Sequence, residues 1–249
     1  MSRRSVLVLD GDMVPSLTIA RSLSRRGCDV DVASHLEKPL TGYSNTVRSC
    51  FCYPDPLASA EDAVDWLLKH VEAHEYDLVI PVTERILVPL SRNRERLRHV
   101  RIAMPEADSL EVALDKSRTL ALADELGVPC PRSLAVASLE ELDVLSDNLR
   151  VPVVLKPARS IGTGAEGASQ LQVSYACDIP ELEAGCADAL RYGPVILQEY
   201  FTGDGVGIEL IAKDGKIAYD FQHLRLHEVP LTGGGSSLRK SVPVMPQLL

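Results

Sequence analysis

The sequence predicts an α/β fold in its first half and an α+β fold in its second half. Residues 5–9 are a serine followed by valine and leucine, a helical pattern follows, and residues 29–33 are the next predicted strand. This order of strand, helix and strand is typical of a βαβ unit in a parallel sheet. Further along, two apolar runs flank Asp214 and Gly215, a pair typical of an antiparallel hairpin turn. We therefore expect two domains, residues 1–106 and residues 107–249.

The first domain follows from a regular alternation of patterns. After Ser5, the predicted strand at residues 5–9 contains only valine and leucine, which indicates a strand covered on both faces. Ser16 is a candidate cap for the helix that follows, and Gly27 is its predicted end. The later predicted elements are helices near residues 58–73 and 85–98 and strands at residues 78–80 and 101–103.

The first turn of this domain contains two acidic residues, Asp10 and Asp12, around Gly11. It lacks the Gly-x-Gly-x-x-Gly pattern that brings a dinucleotide pyrophosphate against bare backbone. This argues against a nicotinamide-dependent oxidoreductase. The acidic pair either caps the turn or faces a cationic substrate group, and Gly11 is a turn glycine.

Composition excludes several classes of protein. The chain has 249 residues and a formal net charge of -9, and only 4% of its residues are aromatic, so nucleic acid is not an expected partner. The first apolar run stops at Asp10, too early for a signal peptide, and no run approaches the roughly 20 residues of a membrane span. The six cysteines form no Cys-x-x-Cys pair, so we expect reduced thiols and a cytoplasmic protein.

The second domain begins with a helical region. A helix starting near Lys116 runs through residues 115–126 and stops before two prolines, Pro129 and Pro131. The segment at residues 170–173 is predicted to pair with the strand at residues 153–155. The other predicted elements are strands at residues 133–136, 195–197, 207–212 and 217–222 and helices at residues 139–149 and 179–190.

The strongest chemical signal is a lysine that ends an apolar strand. Lys156 follows three apolar residues and precedes Pro157, and a loop with Gly162 and Gly164 comes next. A lysine supplies a point charge and the backbone N–H groups of a glycine loop can surround phosphate oxygens, so the pattern predicts a polyanion site. The segment at residues 195–205 is predicted to form the second wall of a nucleotide slot, which makes ATP the expected ligand.

Taken in order, these features resemble the ATP-grasp superfamily, in the branch of carboxylate–amine ligases related to carbamoyl-phosphate synthetase and biotin carboxylase. The resemblance rests on the helix at residues 115–129, on the Lys156-Pro157 pair and on the run at residues 198–200. It implies a Rossmann-like pre-ATP-grasp domain at residues 1–106 and a partial ATP-grasp domain at residues 107–249. Pro81 to Glu84 lies where those proteins end a strand near the substrate.

The resemblance also implies roles for individual residues. Two lysines would contact the ATP phosphates, the loop from Ser160 would cover the β- and γ-phosphates, and an apolar sandwich such as Val154 and Leu197 would hold the adenine ring. An acidic residue near Glu209 would contact the ribose. The implied nucleotide-binding residues are Lys116, Lys156, Ser160, Gly162, Gly164, Glu199, Tyr200, Phe201 and Glu209.

A later strand carries three basic residues at alternate positions, His223, Arg225 and His227. Alternation places them on one face, beside a glycine-rich loop at residues 232–235. Arg225 and His227 are the candidate catalytic residues, because cations there suit an acyl phosphate or a substrate carboxylate. The alternative is an exposed polar strand face. Two histidines without a third ligand are poor zinc ligands.

The expected activity is ATP-dependent ligation, in which a small carboxylate is activated as an acyl phosphate and an amine displaces the phosphate. The resemblance implies Mg²⁺ held by acidic residues and an asparagine after Gly235, but no Glu-x-Asn pair follows it. We therefore expect a fragment of a longer ligase or a short relative without catalysis. The competing interpretation is a non-catalytic nucleotide-binding or regulatory module. An incomplete C-terminal lobe would expose core residues and predicts a homodimer or domain swapping.

Overall fold

The computed structural model describes residues 3–146, 150–164, 167–229 and 235–248. Its first part is a parallel sheet with strand order β3-β2-β1-β4. The strands are β1 (Ser5–Val8), β2 (Asp29–Ser34), β3 (Ser49–Cys52) and β4 (Leu78–Ile80), and the helices are α1 (Val14–Arg25), α2 (Ala60–Ala73) and α3 (Glu84–Arg92). The predicted parallel sheet is confirmed.

Two helices and an antiparallel sheet follow. The helices α4 (Ala107–Leu114) and α5 (Lys116–Glu125) precede a sheet with strand order β5-β10-β6-β9. The sheet contains β5 (Ser133–Val136), β6 (Val153–Pro157), β9 (Ser174–Ala176) and β10 (Val195–Glu199), and α6 (Leu139–Ser146) and α7 (Ile179–Ala189) pack on one of its faces. The predicted helix at residues 139–149 is confirmed as far as Ser146, and its last three residues lie outside the described part of the chain.

The remaining strands form a hairpin and a third sheet. The hairpin pairs β7 (Ile161–Gly164) with β8 (Gly167–Gln170). The third sheet has the order β11-β12-β13, with β11 (Val206–Lys213), β12 (Lys216–Val229) and β13 (Gly235–Val242) all antiparallel. The turn between β11 and β12 has positive φ at Asp214 and Gly215, as the Asp-Gly pair predicts.

Each of the first two sheets has its own apolar core. In the parallel sheet, Leu7, Leu67 and Leu90 are completely or almost completely buried between the sheet and α2 and α3. In the second sheet, Leu155 and Leu182 have the same role. Full burial of one such side chain stabilises the folded protein by about 1.5–3 kcal/mol, so each cluster stabilises the sheet that it packs against.

Three sequence predictions are wrong in detail. Ser16 does not cap α1: it lies in the first turn, where its Oγ donates to the carbonyl oxygens of Leu9 (3.1 Å) and Asp10 (2.6 Å). The segment at residues 170–173 does not pair with β6, because the glycine loop is itself a hairpin and Gln170 pairs with Ile161. β9, which follows that segment, is the strand that pairs with β6. The predicted strand at residues 101–103 is a single bridge at Ile102.

The six cysteines are free thiols in the structure. None of the helices in the described ranges has the length and apolar character needed to cross a bilayer.

Candidate nucleotide-binding site

The two faces of the second sheet have different chemistry. Residues paired across antiparallel strands share a face, and Lys156 pairs with Ile196 while Val154 pairs with Gln198. We call this the lysine face. The opposite face, which includes Leu197, packs against α6 and α7. The predicted adenine sandwich of Val154 and Leu197 is therefore wrong, because the two residues point to opposite sides of the sheet.

Lys156 is held by a short chain of hydrogen bonds on the lysine face. Its Nζ donates to Gln198 Oε1 at 2.6 Å, and Gln198 Nε2 donates to Ser133 Oγ at 2.8 Å. Ser133 Oγ in turn donates to the carbonyl oxygen of Pro131 at 2.8 Å. Since each donor has one acceptor in this chain, the Gln198 oxygen is fixed toward the lysine. Gln198 is 8% exposed, so its amide is a buried and satisfied group.

Lys116 reaches the same place from another element. It is the first residue of α5, and Asp115 caps that helix by accepting from the N–H groups of Ser117 and Arg118. The backbone N–H of Lys116 donates to the carbonyl oxygen of Ala158, just after Lys156 on the chain, at 2.9 Å. The start of α5 is therefore attached to the end of β6.

The electrostatics of the two lysines show that they are neighbours. Partial burial lowers the pKa of Lys156, and the charge of Lys116 lowers it further. Partial burial also lowers the pKa of Lys116, against the opposing effect of Glu84 and Asp115. Two ammonium groups that are partly desolvated and close together form a local positive site in a chain with a net charge of -9. This is the arrangement that a polyphosphate would neutralise.

The predicted phosphate loop is the hairpin of β7 and β8, of which residues 165 and 166 lie outside the described part of the chain. A Cβ on Gly162 would lie 2.8 Å from Tyr192 Cβ, and one on Gly164 would lie 3.0 Å from the Tyr192 ring. These glycines therefore allow the hairpin to pack against Tyr192. The carbonyl oxygen of Ser160 accepts from the N–H of Leu171 at 2.8 Å. A contact of Ser160, Gly162 and Gly164 with phosphate stays a prediction.

Some residues at the end of β10 and just after it make contacts within the protein. One carboxylate oxygen of Glu199 accepts from the backbone N–H of Arg132 at 2.8 Å. The ring of Tyr200 lies 6.2 Å from that of Tyr175, and Phe201 is 74% exposed. An adenine contact by Glu199 and by the backbone of Tyr200 and Phe201 stays a prediction.

The third sheet separates the residues that its sequence pattern groups together. His223 is buried, its ring covers Gly207, and its Nδ1 lies 3.0 Å from Oε1 of Glu209. Arg225 Nη1 donates to Glu228 Oε1 at 3.2 Å.

His227 is exposed, and the register against β13 shifts on both sides of it. The predicted single face is therefore wrong for His227, because a bulge interrupts the alternation there, whereas His223 and Arg225 keep it. The catalytic roles of Arg225 and His227 and the ribose contact of Glu209 stay predictions. The glycines at positions 233 and 234 lie outside the described residues.

A second cleft, which we call the acidic cleft, lies at the carboxyl ends of β1 and β4. Asp10, Asp12, Thr83 and Glu84 line it together with Ser160 of the hairpin, and its volume is about 360 Å³. From the sequence, Asp10 and Asp12 either cap the turn or face a cationic substrate group. In the structure, the carboxylates of both residues accept hydrogen bonds from within the protein.

Asp10 joins three segments of the first sheet. Its carboxylate accepts from the N–H groups of Val82 and Thr83 at 3.0 and 2.7 Å and from Tyr53 Oη at 3.0 Å. Burial raises the pKa of this carboxyl, and these hydrogen bonds oppose that effect. Asp12 accepts from Ser34 Oγ at 2.6 Å. Asp10 thereby fixes the loop that precedes Glu84.

Sequence reasoning missed the role of Gln198 and of Ser133. Gln198 was noted only as part of a motif, although its position two residues from Ile196 and opposite Val154 places it on the lysine face. A buried amide on an apolar strand is a signal that a partner is needed, and this signal was available in the sequence.

No metal centre is formed by the described residues. Among them, no group of three or more histidine, cysteine, aspartate or glutamate side chains is placed to hold an ion. The Mg²⁺ that the resemblance implies stays a prediction, and we derive no step through a metal.

Part of the chain is similar in sequence to known proteins. No protein-family model matches the chain. It is 32% identical over 148 residues to a formate-dependent phosphoribosylglycinamide formyltransferase from Synechococcus sp. (strain CC9605), covering 59% of this chain and 36% of that protein. It is 26% identical over 201 residues to a carbamoyl phosphate synthase large chain from Thermomicrobium roseum, covering 79% of this chain and 18% of that one. The chain thus spans well under half the length of these relatives.

Solved structures show the same fold. An L-amino acid ligase from Bacillus licheniformis superimposes with a TM-score of 0.69 at 16% identity, over 100% of this chain and 57% of that one. An N5-carboxyaminoimidazole synthetase from Staphylococcus aureus, solved with ADP, superimposes with a TM-score of 0.64 at 13% identity, over 90% of this chain and 55% of that one.

The chain therefore shares the fold of these two ligase structures. Its homologues are ATP-grasp carboxylate–amine ligases, and the chain covers part of their fold. The predicted superfamily is confirmed, and the boundary between residues 106 and 107 stays a prediction.

Proposed function

We propose that this chain is an ATP-dependent carboxylate–amine ligase module whose triphosphate is bound by Lys116 and Lys156. The observation that carries the proposal is that the first N–H of α5, from Lys116, donates to the carbonyl oxygen of Ala158, two residues after Lys156, so that two partly buried lysines lie at one place. In the absence of an anion they repel each other, so a bound polyphosphate interacts with both and removes the repulsion. The homology to ATP-grasp ligases supports the same ligand.

The reaction proceeds in two balanced steps. A carboxylate oxygen attacks the γ-phosphorus of ATP, the bond to the β,γ-bridging oxygen breaks, and ADP leaves with that electron pair. The amine nitrogen then attacks the acyl carbon, the bond from that carbon to the phosphate oxygen breaks, and inorganic phosphate and a proton are released. The lysines act by positioning and by balancing charge on the transferred group.

The acidic cleft is the proposed entry for the amine. Its lining includes three carboxylates, and its Arg85 is paired with Asp55, with Nε to Oδ1 at 3.0 Å. The cleft is therefore negative overall and suits an ammonium group. Glu84 lies close enough to Lys116 to raise the pKa of that lysine, so the cleft adjoins the proposed phosphate site.

Two measurements test the proposal. Calorimetric titration with a non-hydrolysable ATP analogue should show binding that is lost in Lys156→Ala and kept in Lys213→Ala, where the lysine is at an exposed turn. The chain should also transfer ¹⁸O from labelled amino acid carboxylates into inorganic phosphate, because the acyl phosphate retains the carboxylate oxygen. Nucleotide binding without ADP formation or ¹⁸O transfer would instead favour the non-catalytic module. A folded chain that does not bind the analogue contradicts both.

A further inference from the structure

A small apolar cavity, which we call the apolar chamber, lies between the first sheet and the β7–β8 hairpin. Its volume is about 90 Å³. Its apolar lining comes from residues before β6 and from the hairpin, and includes Leu57, Val88, Pro89, Leu114, Ile161 and Ala168. The proposed nucleotide site uses none of these side chains.

The hairpin has one face for the chamber and another for packing. Thr163 pairs with Ala168, and both line the chamber, whereas Gly162 and Gly164 pack against Tyr192. The face of the hairpin that lines the chamber therefore carries side chains, and these side chains determine the size of the chamber.

The apolar chamber adjoins the acidic cleft. Leu57, Glu84, Arg85 and Ile161 line both spaces. A ligand whose ammonium group lies beside the carboxylates of the cleft can therefore extend an attached group into the chamber.

Two of the arginines that line the chamber are paired with carboxylates, and Glu84 and Arg92 line it as well. Arg85 is paired with Asp55, and Arg159 is paired with Glu111 and with Asp115, the latter at 3.6 Å. Because these arginines already have carboxylate partners, their charges do not need a ligand anion. The part of the chamber wall formed by Leu57, Val88 and Ile161 is therefore suited to an uncharged, apolar group.

The volume restricts that group further. An apolar cavity of roughly 150 Å³ holds benzene, and a water molecule has a share of roughly 30 Å³ in the liquid. The chamber, at about 90 Å³, is smaller than the first and corresponds to a branched aliphatic group of about three or four carbons.

We propose that the apolar chamber is the side-group pocket for the amine acceptor, which is a primary amine with a short branched aliphatic substituent. This inference rests on the proposed function, since an acceptor amine is required only by a ligase. Affinity should rise about fourfold for each buried carbon until the chamber is full and then fall for an aromatic ring.

The test uses methyl groups of the protein as reporters. The full chain with ¹³C-labelled Ile, Leu and Val methyl groups is titrated with methylamine, isobutylamine and benzylamine, with and without the non-hydrolysable ATP analogue. We expect the Ile161, Leu57 and Val88 methyl signals to shift with isobutylamine at the lowest concentration. Ala168→Leu should reduce the affinity for isobutylamine to that for methylamine. Ala212→Leu, at an exposed position on β11, is the matched control.

The outcomes separate the two proposals. Chamber signals that do not shift with any amine, or benzylamine binding as tightly as isobutylamine, would overturn the side-group pocket whether or not the ATP analogue binds. Failure of the analogue alone, with the expected amine shifts, would contradict the proposed nucleotide site only. If Ala168→Leu does not fold, Thr163→Leu fills the same space from an exposed position.

Discussion

Replacing Lys116 with methionine should weaken nucleotide binding and at the same time stabilise the unliganded protein. The structure places the charge of Lys116 close enough to Lys156 to lower the pKa of the second lysine. Methionine keeps the length of the side chain but removes the charge. The pKa of Lys156 should therefore rise toward its ordinary value, and the repulsion in the unliganded site should disappear.

The two expected magnitudes can be worked from ordinary interactions. A hydrogen bond from a charged donor contributes about 1.5–3 kcal/mol, so loss of one phosphate contact should raise the Kd for an ATP analogue by about 10- to 150-fold. Relief of strain at a binding site typically adds about 0.5–2 kcal/mol to the free energy of unfolding. Because a lowered lysine pKa costs stability only while the lysine is protonated, this gain should be present at neutral pH and vanish above the ordinary lysine pKa.

Three measurements check this prediction on one pair of proteins. Calorimetry gives the Kd for the analogue, urea titration gives the free energy of unfolding, and ¹³C NMR of the lysine Cε signals gives the pKa of Lys156. Lys216→Met, at the exposed start of β12, is the control for loss of a positive charge. An unchanged pKa of Lys156 in Lys116→Met would refute the reasoning, because the two ammonium groups would then not interact.

Two further predictions concern stability. Gly207→Ala should lower the free energy of unfolding by about 1–3 kcal/mol, because the new Cβ would lie 2.3 Å from Cε1 of His223. Gly235→Ala is the control and should leave the free energy of unfolding unchanged, because no atom of the described residues lies within 4 Å of its new Cβ. Equal urea midpoints for the two variants would disprove this packing. Burial lowers the pKa of His70 from 6.5 to about 4, so its contribution to stability is present above pH 6.5 and is lost as the pH falls toward 4. The urea midpoint of the parent should differ between about pH 7 and about pH 4.5, and His70→Phe should reduce this difference. If the difference is unchanged in the variant, the acid sensitivity comes from other groups.

Sequence periodicity predicted most of the elements but not how they pair. The strand that carries Lys156 was located because an apolar run and a following proline mark it within the chain itself. The pairing of Gln170 was wrong because register depends on contacts between strands, and the glycine loop satisfies its own backbone as a hairpin.

The orientation of side chains is the second feature that sequence periodicity did not predict. Alternation indicates that Lys156 and Leu197 belong to particular faces of their strands, but which faces coincide follows only from the antiparallel register of β6 and β10. In the same way, a bulge in β12 separates His223 from His227, and no local pattern in a single sequence marks it.

The proposed site joins these observations through electrostatics. Most of the surface of an acidic chain repels a polyphosphate, so the attraction must come from a few cations at one place. The protein holds Lys156 there through Gln198 and Ser133 and attaches Lys116 through the carbonyl oxygen of Ala158. The hydrogen bond of Lys156 and the backbone attachment of Lys116 keep the two residues next to each other. A ligand with several negative charges then gains both the direct contacts and the relief of that repulsion, whereas a ligand with one charge gains only part of them. This difference favours a triphosphate over a monophosphate.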